Sequence, residues 1–223
     1  SVTDDSQQRI AAAANALEWD ERSWVVFESG PFGATYAHAL GIRPHVDRAN
    51  PILALIGSPT ELTKLQSDRL ESQSGVDLIT VDDPASDVSQ LLSRLRASAE
   101  IGKTVIGIRT TSRDGSAPDP LHASQMLALI IDLAVECADS MQFDGIYASG
   151  GDVAFAVLDA LGARGYEVEN EVVPLAVSGK LVGGPHDGLG FATKGGLVGD
   201  ADAAVECINQ LRSRIRQSEP RIV

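Results

Sequence analysis

The chain has 223 residues, 43% of them hydrophobic and 22% charged, with a formal net charge of −13. This is ordinary globular composition, long enough for one large α/β domain, or two small ones, with ample core. The acidic balance argues against nucleic acid, whose phosphate backbone needs clustered Lys and Arg, and against an anionic membrane surface.

An anionic small molecule stays open, because backbone N–H groups and helix ends bind anions locally whatever the global field. Cys137 and Cys207 lie inside apolar, helix-like runs and read as reduced core thiols of a cytoplasmic protein. No run approaches the roughly 18 apolar residues of a membrane span, and no basic stretch leads into an apolar one as in a secretory signal. The chain opens at Ser1 without Met, in a polar stretch, and so reads as part of a longer protein.

Residues 6–18 are Ala-rich and amphipathic, with Ile10, Ala14 and Leu17 on one face, and predict a helix. Residues 24–27 predict a buried strand, followed by the turn Glu28-Ser29-Gly30-Pro31-Phe32-Gly33 and a helix through Leu40 that Gly41 and Pro44 end. Residues 52–56 (ILALI) predict a second buried strand. A polar helix follows to about Gln73, with Ser58 and Glu61 at capping-box spacing and Pro59 at the first helical position. Strands are expected at 76–81 and 104–108, with a helix over 88–97 between them. Residues 110–120 are loop-like, and 121–138 form a long helix whose all-round hydrophobicity predicts burial.

Residues 143–148 predict a short buried strand, the turn Ser149-Gly150-Gly151-Asp152 follows, and an apolar helix runs from Val153 to about Leu161, stopped by Gly162. Strands over 168–173 and 175–182, a turn over 183–188, a strand over 189–193 and a last helix over 201–212 complete the chain. Strand and helix alternate early, with crossovers of helix length; later strands are joined by short turns. The expected fold is α/β: a mostly parallel, doubly wound sheet with helices on both faces and a short antiparallel extension near the C-terminus. A single domain over residues 1–223 is expected.

Three glycine-bearing turns each join a strand to a helix: Gly57-Ser58-Pro59-Thr60, Ser149-Gly150-Gly151-Asp152 and Lys194-Gly195-Gly196. In a parallel sheet such turns share the carboxyl edge, where ligands bind in open α/β folds. A strand that opens directly into a helix aims unpaired N–H groups at one point, a ready-made phosphate site. Together the turns predict one nucleotide-sized site, with Ser58 or Thr60 adding a hydroxyl. Asp152 reads either as a contact to a magnesium-bound water or ribose, or as a carboxylate favoured by the helix dipole. Lys194 reads either as a phosphate-neutralising cation or as a solvated turn lysine.

No G-x-x-x-x-G-K-[ST] occurs, and no G-x-G-x-x-G follows a strand; Gly30-Pro31-Phe32-Gly33 is a partial echo. His38, His45, His122 and His186 lack metal-ligand spacing, and no G-x-S-x-G elbow is present. Asp82, Asp83 and Asp119 read as helix-start charges.

The order of these motifs resembles the carboxy-terminal, nucleotide-binding half of the four-carbon acid sugar kinase family. There, a strand ending in Gly-Ser is followed by Thr and Gln, matched by Gly57, Ser58, Thr63 and Gln66. A Gly-Gly-Glu-Thr turn then opens a helix of the form A-x-A-V-L-x-A-L-G; here Gly150-Gly151-Asp152-Val153 precedes Ala154, Ala156, Val157, Leu158, Ala160, Leu161 and Gly162. Glu171, Pro174, Lys194, Gly196 and Gly199 fall in register with the later Glu, Pro-Gly-Val-Pro and Lys-Ser-Gly-x-Phe-Gly segments.

The resemblance implies an ATP site built by Ser58 or Thr60, by Gly150, Gly151, Asp152 and Val153, and by Gly196, with Mg2+ bridging the phosphates. It implies an acid sugar substrate such as threonate or erythronate and an amino-terminal substrate-binding domain in the same protein; a homodimer is one assembly open to it, since the sequence does not fix the oligomeric state. The Asp-Asp-x-Thr-Gly type motif of that other half is absent from this chain. Several side chains depart from the pattern: Asp152 is shorter than Glu, Val153 lacks the Thr hydroxyl, and Leu175 stands where glycine is expected. Gly195 replaces Ser, Val198 replaces Phe, and Glu28 stands where a small residue is expected. Backbone cradling survives these changes more readily than side-chain contacts do, so a non-catalytic ligand-binding or structural domain is the rival reading.

Overall fold

The computed structural model describes residues 50–57, 60–111 and 119–218. By its internal contacts the chain divides into two compact units, Ser1–Arg48 and Ala49–Val223, and the described residues belong to the second. The elements expected over 6–18, 24–27 and up to Leu40, together with Ser58, Pro59 and most of the 110–120 loop, lie outside the described residues.

Seven strands among the described residues form one sheet: β1 (Ile52–Ile56), β2 (Val76–Val81), β3 (Val105–Thr110), β4 (Gly145–Ser149), β5 (Gly165–Val173), β6 (Ala176–Val182) and β7 (Gly190–Lys194). Their spatial order is β2-β3-β1-β4-β7-β6-β5. Pairings from β2 through β7 are parallel, and β6 with its neighbours β7 and β5 is antiparallel. This is the expected doubly wound sheet with its antiparallel extension. The central strands are buried on both faces, every residue of β1 and β4 included, which is why ILALI reads as an unbroken apolar run rather than an alternation.

Among the described residues five helices cover the sheet: α1 (Glu61–Glu71), α2 (Val88–Glu100), α3 (Pro120–Ser140), α4 (Gly151–Ala160) and α5 (Ala203–Ser218). Leu70 of α1 and Ala204, Cys207, Ile208 and Leu211 of α5 pack with Ile52, Ala54, Tyr147 and Ala192 on one face. Helices α2, α3 and α4 pack with Leu53, Leu55, Ile106, Ile146 and Phe191 on the other. Each charged cap follows from its sequence. Asp87 accepts from the Ser89 N–H at 2.8 Å, and Asp119 accepts from the N–H groups of Leu121 and His122 at 2.9 and 3.0 Å with Pro120 at the first position. The expectation that Asp119 is a helix-start charge holds.

Two expectations need correction. Helix α1 is capped by Thr60, not Ser58. Thr60 is extended (φ −73°, ψ 149°) and its hydroxyl accepts from the Thr63 N–H, so the helix begins at Glu61 and Pro59 precedes it. Second, α3, at 21 residues, is long and apolar enough to cross a membrane by length and composition alone. Its buried side chains, Met126, Leu129, Ile130, Leu133, Ala134 and Cys137, follow helical spacing and face the sheet, while Asp132 and Glu136 lie on the exposed side.

Candidate functional site

Strands β1 and β4 are neighbours in the sheet, but the helices that follow them leave on opposite faces: α1 after β1, α4 after β4. The chain therefore parts at their carboxyl ends, the topological switch point where open α/β sheets bind ligands. A cleft of about 420 Å³ opens there, lined by Gly57, Gly150, Gly151, Asp152, Val153 and Gly196 on one side. The opposite wall comes from the end of β3 and the start of α3: Thr110, Thr111, His122, Ala123, Ser124, Met126, Leu127 and Ile130.

Two glycines shape the floor. A Cβ on Gly57 would lie 2.4 Å from Val153 Cγ2 and 2.9 Å from Ile130 Cδ1, so only glycine lets β1, α3 and α4 meet this closely. Gly150 has φ +112°, a conformation that side chains resist, and its N–H donates to the Lys194 carbonyl at 2.9 Å. The first intrahelical bond of α4 runs from the Ala154 N–H to the Gly150 carbonyl. Among the described residues nothing accepts from the N–H groups of Gly151, Asp152 and Val153, and Gly150 supplies no side-chain cap. An unmasked helix start thus borders the cleft, with the positive end of its dipole.

The turn after β7 is held by α1. The hydroxyls of Thr60 and Thr63 donate to the Gly196 carbonyl at 3.0 and 2.9 Å, and Gln66 Nε2 donates to the carbonyls of Val198 and Asp200 at 2.9 and 2.6 Å. Thr63 and Gln66 are buried, 2% and 1% exposed. Their place in the motif is thereby explained: they clasp the 196–200 turn to α1.

Of the residues singled out in the sequence, Gly150, Gly151, Asp152, Val153 and Gly196 line one cleft; Thr60 stands behind it, holding Gly196, and Ser58 lies outside the described residues. Lys194 is not a solvated turn lysine. It ends β7, paired in register with Ser149, is 2% exposed, and donates from Nζ to the Gly195 carbonyl at 3.0 Å. Burial lowers its pKa from the ordinary lysine value. Among the described residues no group of three His, Cys, Asp or Glu side chains converges as a metal site.

Thr110, Thr111 and the α3 wall were missed because no glycine marks them. The signal was topological: a helix reached from the carboxyl end of β3 must begin at the same edge as the glycine turns.

A family model for the nucleotide-binding C-terminal domain matches residues 53–204. D-erythronate kinase of Heliobacterium modesticaldum is 35% identical, over 94% of this chain and 53% of that protein. D-threonate kinase of Salmonella typhimurium is 27% identical, over 67% of this chain and 40% of that protein. A domain of unknown function from Bordetella bronchiseptica, crystallised with bound citrate as a domain-swapped dimer, superposes with a TM-score of 0.63 at 26% identity, covering 95% of this chain and 52% of that one. A Haemophilus influenzae protein shares the fold at a TM-score of 0.58 and 17% identity, over 95% of this chain and 52% of that one. The chain spans about half the length of the curated relatives it matches. With the switch-point cleft, the unmasked Gly-Gly helix start and the Thr-Gln clasp all in place, the chain belongs to the four-carbon acid sugar kinase family, in its nucleotide-binding C-terminal domain.

Proposed function

We propose that this chain is the ATP-binding part of a kinase that phosphorylates a four-carbon acid sugar, D-erythronate or D-threonate. The observation that carries this reading is the set of three N–H groups, of Gly151, Asp152 and Val153, that no described residue accepts from, beside the cleft between β1 and β4. Phosphates rest on these groups, with the backbone rather than side chains as donor, so the loss of the Thr hydroxyl at Val153 is tolerated. Gly196 borders the same phosphates, and Thr60 holds Gly196 in place. Asp152, exposed in the first turn of α4 and lining the cleft, suits a magnesium ion, which takes one or two carboxylates along with substrate phosphates and waters. Magnesium, when bound with the nucleotide, supplies neutralisation of phosphate charge.

In this reading the chain's own residues bind and orient the nucleotide, and an amino-terminal domain of the same protein brings the acid sugar and activates its hydroxyl. The working enzyme is a cytoplasmic homodimer. Calorimetry and thermal-shift assays with ATP and magnesium test the reading. Binding is expected, and the Gly151→Val protein should fold normally, since a Cβ there meets nothing within 4 Å. Its ATP affinity should fall more than about tenfold, as expected when hydrogen bonds to a charged group are blocked. No heat and no thermal shift at millimolar ATP, or unchanged affinity in a folded Gly151→Val protein, would overturn it.

A further inference from the structure

The two helix starts at the cleft differ in what they offer a ligand. The N-terminus of α4 presents bare N–H groups, whereas that of α3 is already closed by the Asp119 carboxylate, which accepts from the Leu121 and His122 N–H groups. A carboxylate at that position repels phosphate, so the charged end of any ligand is directed to α4. What remains of the α3 wall carries no Asp, Glu, Lys or Arg and is mostly apolar. His122, Met126 and Ile130 recur at every fourth position and form one stripe facing the cleft, with Leu127 beside them. Met126 and Ile130 are fixed by the core, 5% and 1% exposed, whereas His122 is half-buried at the outer end of the stripe. An apolar wall ending in an aromatic ring suits a heteroaromatic base, which gains from stacking and from leaving water.

We infer that the first three turns of α3 are the base subsite of the cleft, with the nucleobase lying on Leu127, backed by the buried Met126 and Ile130, and stacked on the His122 ring. This rests on the reading of the cleft as a nucleotide site and adds the orientation of the nucleotide within it. His122 becomes a specificity-determining residue and not a catalytic one, since it faces the base and not the transferred phosphate.

The test measures ATP and inorganic tripolyphosphate side by side by calorimetry on the full chain. His122→Ala should weaken ATP about tenfold, the scale of one lost stacking contact, and leave tripolyphosphate unchanged. Leu127→Asp, at a half-buried position on the same wall, should lose ATP and retain tripolyphosphate. Gly151→Val should lose both. Wild-type ATP affinity in both wall variants, or a wild-type protein that binds tripolyphosphate as tightly as ATP, overturns the base subsite and leaves the phosphate turn standing. A protein that binds neither ligand overturns both readings.

Discussion

Leu175 closes the β5–β6 hairpin at φ +68°, the only non-glycine residue among those described with a positive φ. It stands where the related motif has glycine, and the backbone has kept the glycine conformation. Its side chain is 78% exposed and recovers little by burial; its N–H donates to Glu171 Oε1 at 3.2 Å. A left-handed leucine costs about 1–2 kcal/mol, so Leu175→Gly should raise unfolding stability by about 1 kcal/mol in urea titration. A drop in stability would show that the leucine is held by contacts outweighing its strain. The departure was visible in the sequence, but its consequence was not, because a φ angle is set by the turn that the two flanking strands impose.

At the scale of elements, α1 acts as a clasp for the turn that follows β7. Gln66 holds two carbonyls of that turn from a fully buried position. Gln66→Leu keeps the volume and removes both donors, leaving the carbonyls of Val198 and Asp200 without them. Stability should fall by about 2 kcal/mol, the usual scale for buried groups left unmade, and ATP affinity should fall with it because Gly196 borders the cleft. Equal stability in thermal melts would mean that water replaces the amide. The Thr and Gln of α1 were legible as motif residues. Their task was not, since their partners lie more than 130 positions away in sequence. Helix starts fared unevenly for a similar reason. Asp119-Pro120 marks its helix unambiguously, but Ser58-Pro59-Thr60 offers two hydroxyls, and backbone geometry selected the second.

For the whole molecule, ionisable groups bound the pH range of stability. Hydrogen bonding and charge attraction from Arg214, with further attraction from Lys180, hold the Glu169 carboxyl below the usual carboxylate range. That pair secures the edge strand β5 to α5 and β6. The unfolded chain binds the proton more readily, so the stabilisation is fully present above the ordinary Glu range and is lost as pH falls through the folded value. Lys194 contributes at the other end: burial depresses its pKa, the unfolded chain holds more protons between the two values, and stability gains from this group as pH rises toward the ordinary lysine range. Urea titrations across pH should show an acid loss that Glu169→Gln reduces and an alkaline gain that Lys194→Met removes. An unchanged acid slope in Glu169→Gln would locate the acid sensitivity elsewhere.

The sequence by itself determined the strand and helix order, the parallel core and its antiparallel extension, and the glycine turns that line one side of the cleft. Those features follow from local rules: apolar runs, backbone permissiveness and caps act within a few residues. Tertiary structure alone decided that Thr60 and Thr63 serve Gly196, that Lys194 is buried, and that α3 forms the second wall. Each of these depends on which strands lie side by side, and strand order is settled by packing across the whole sheet.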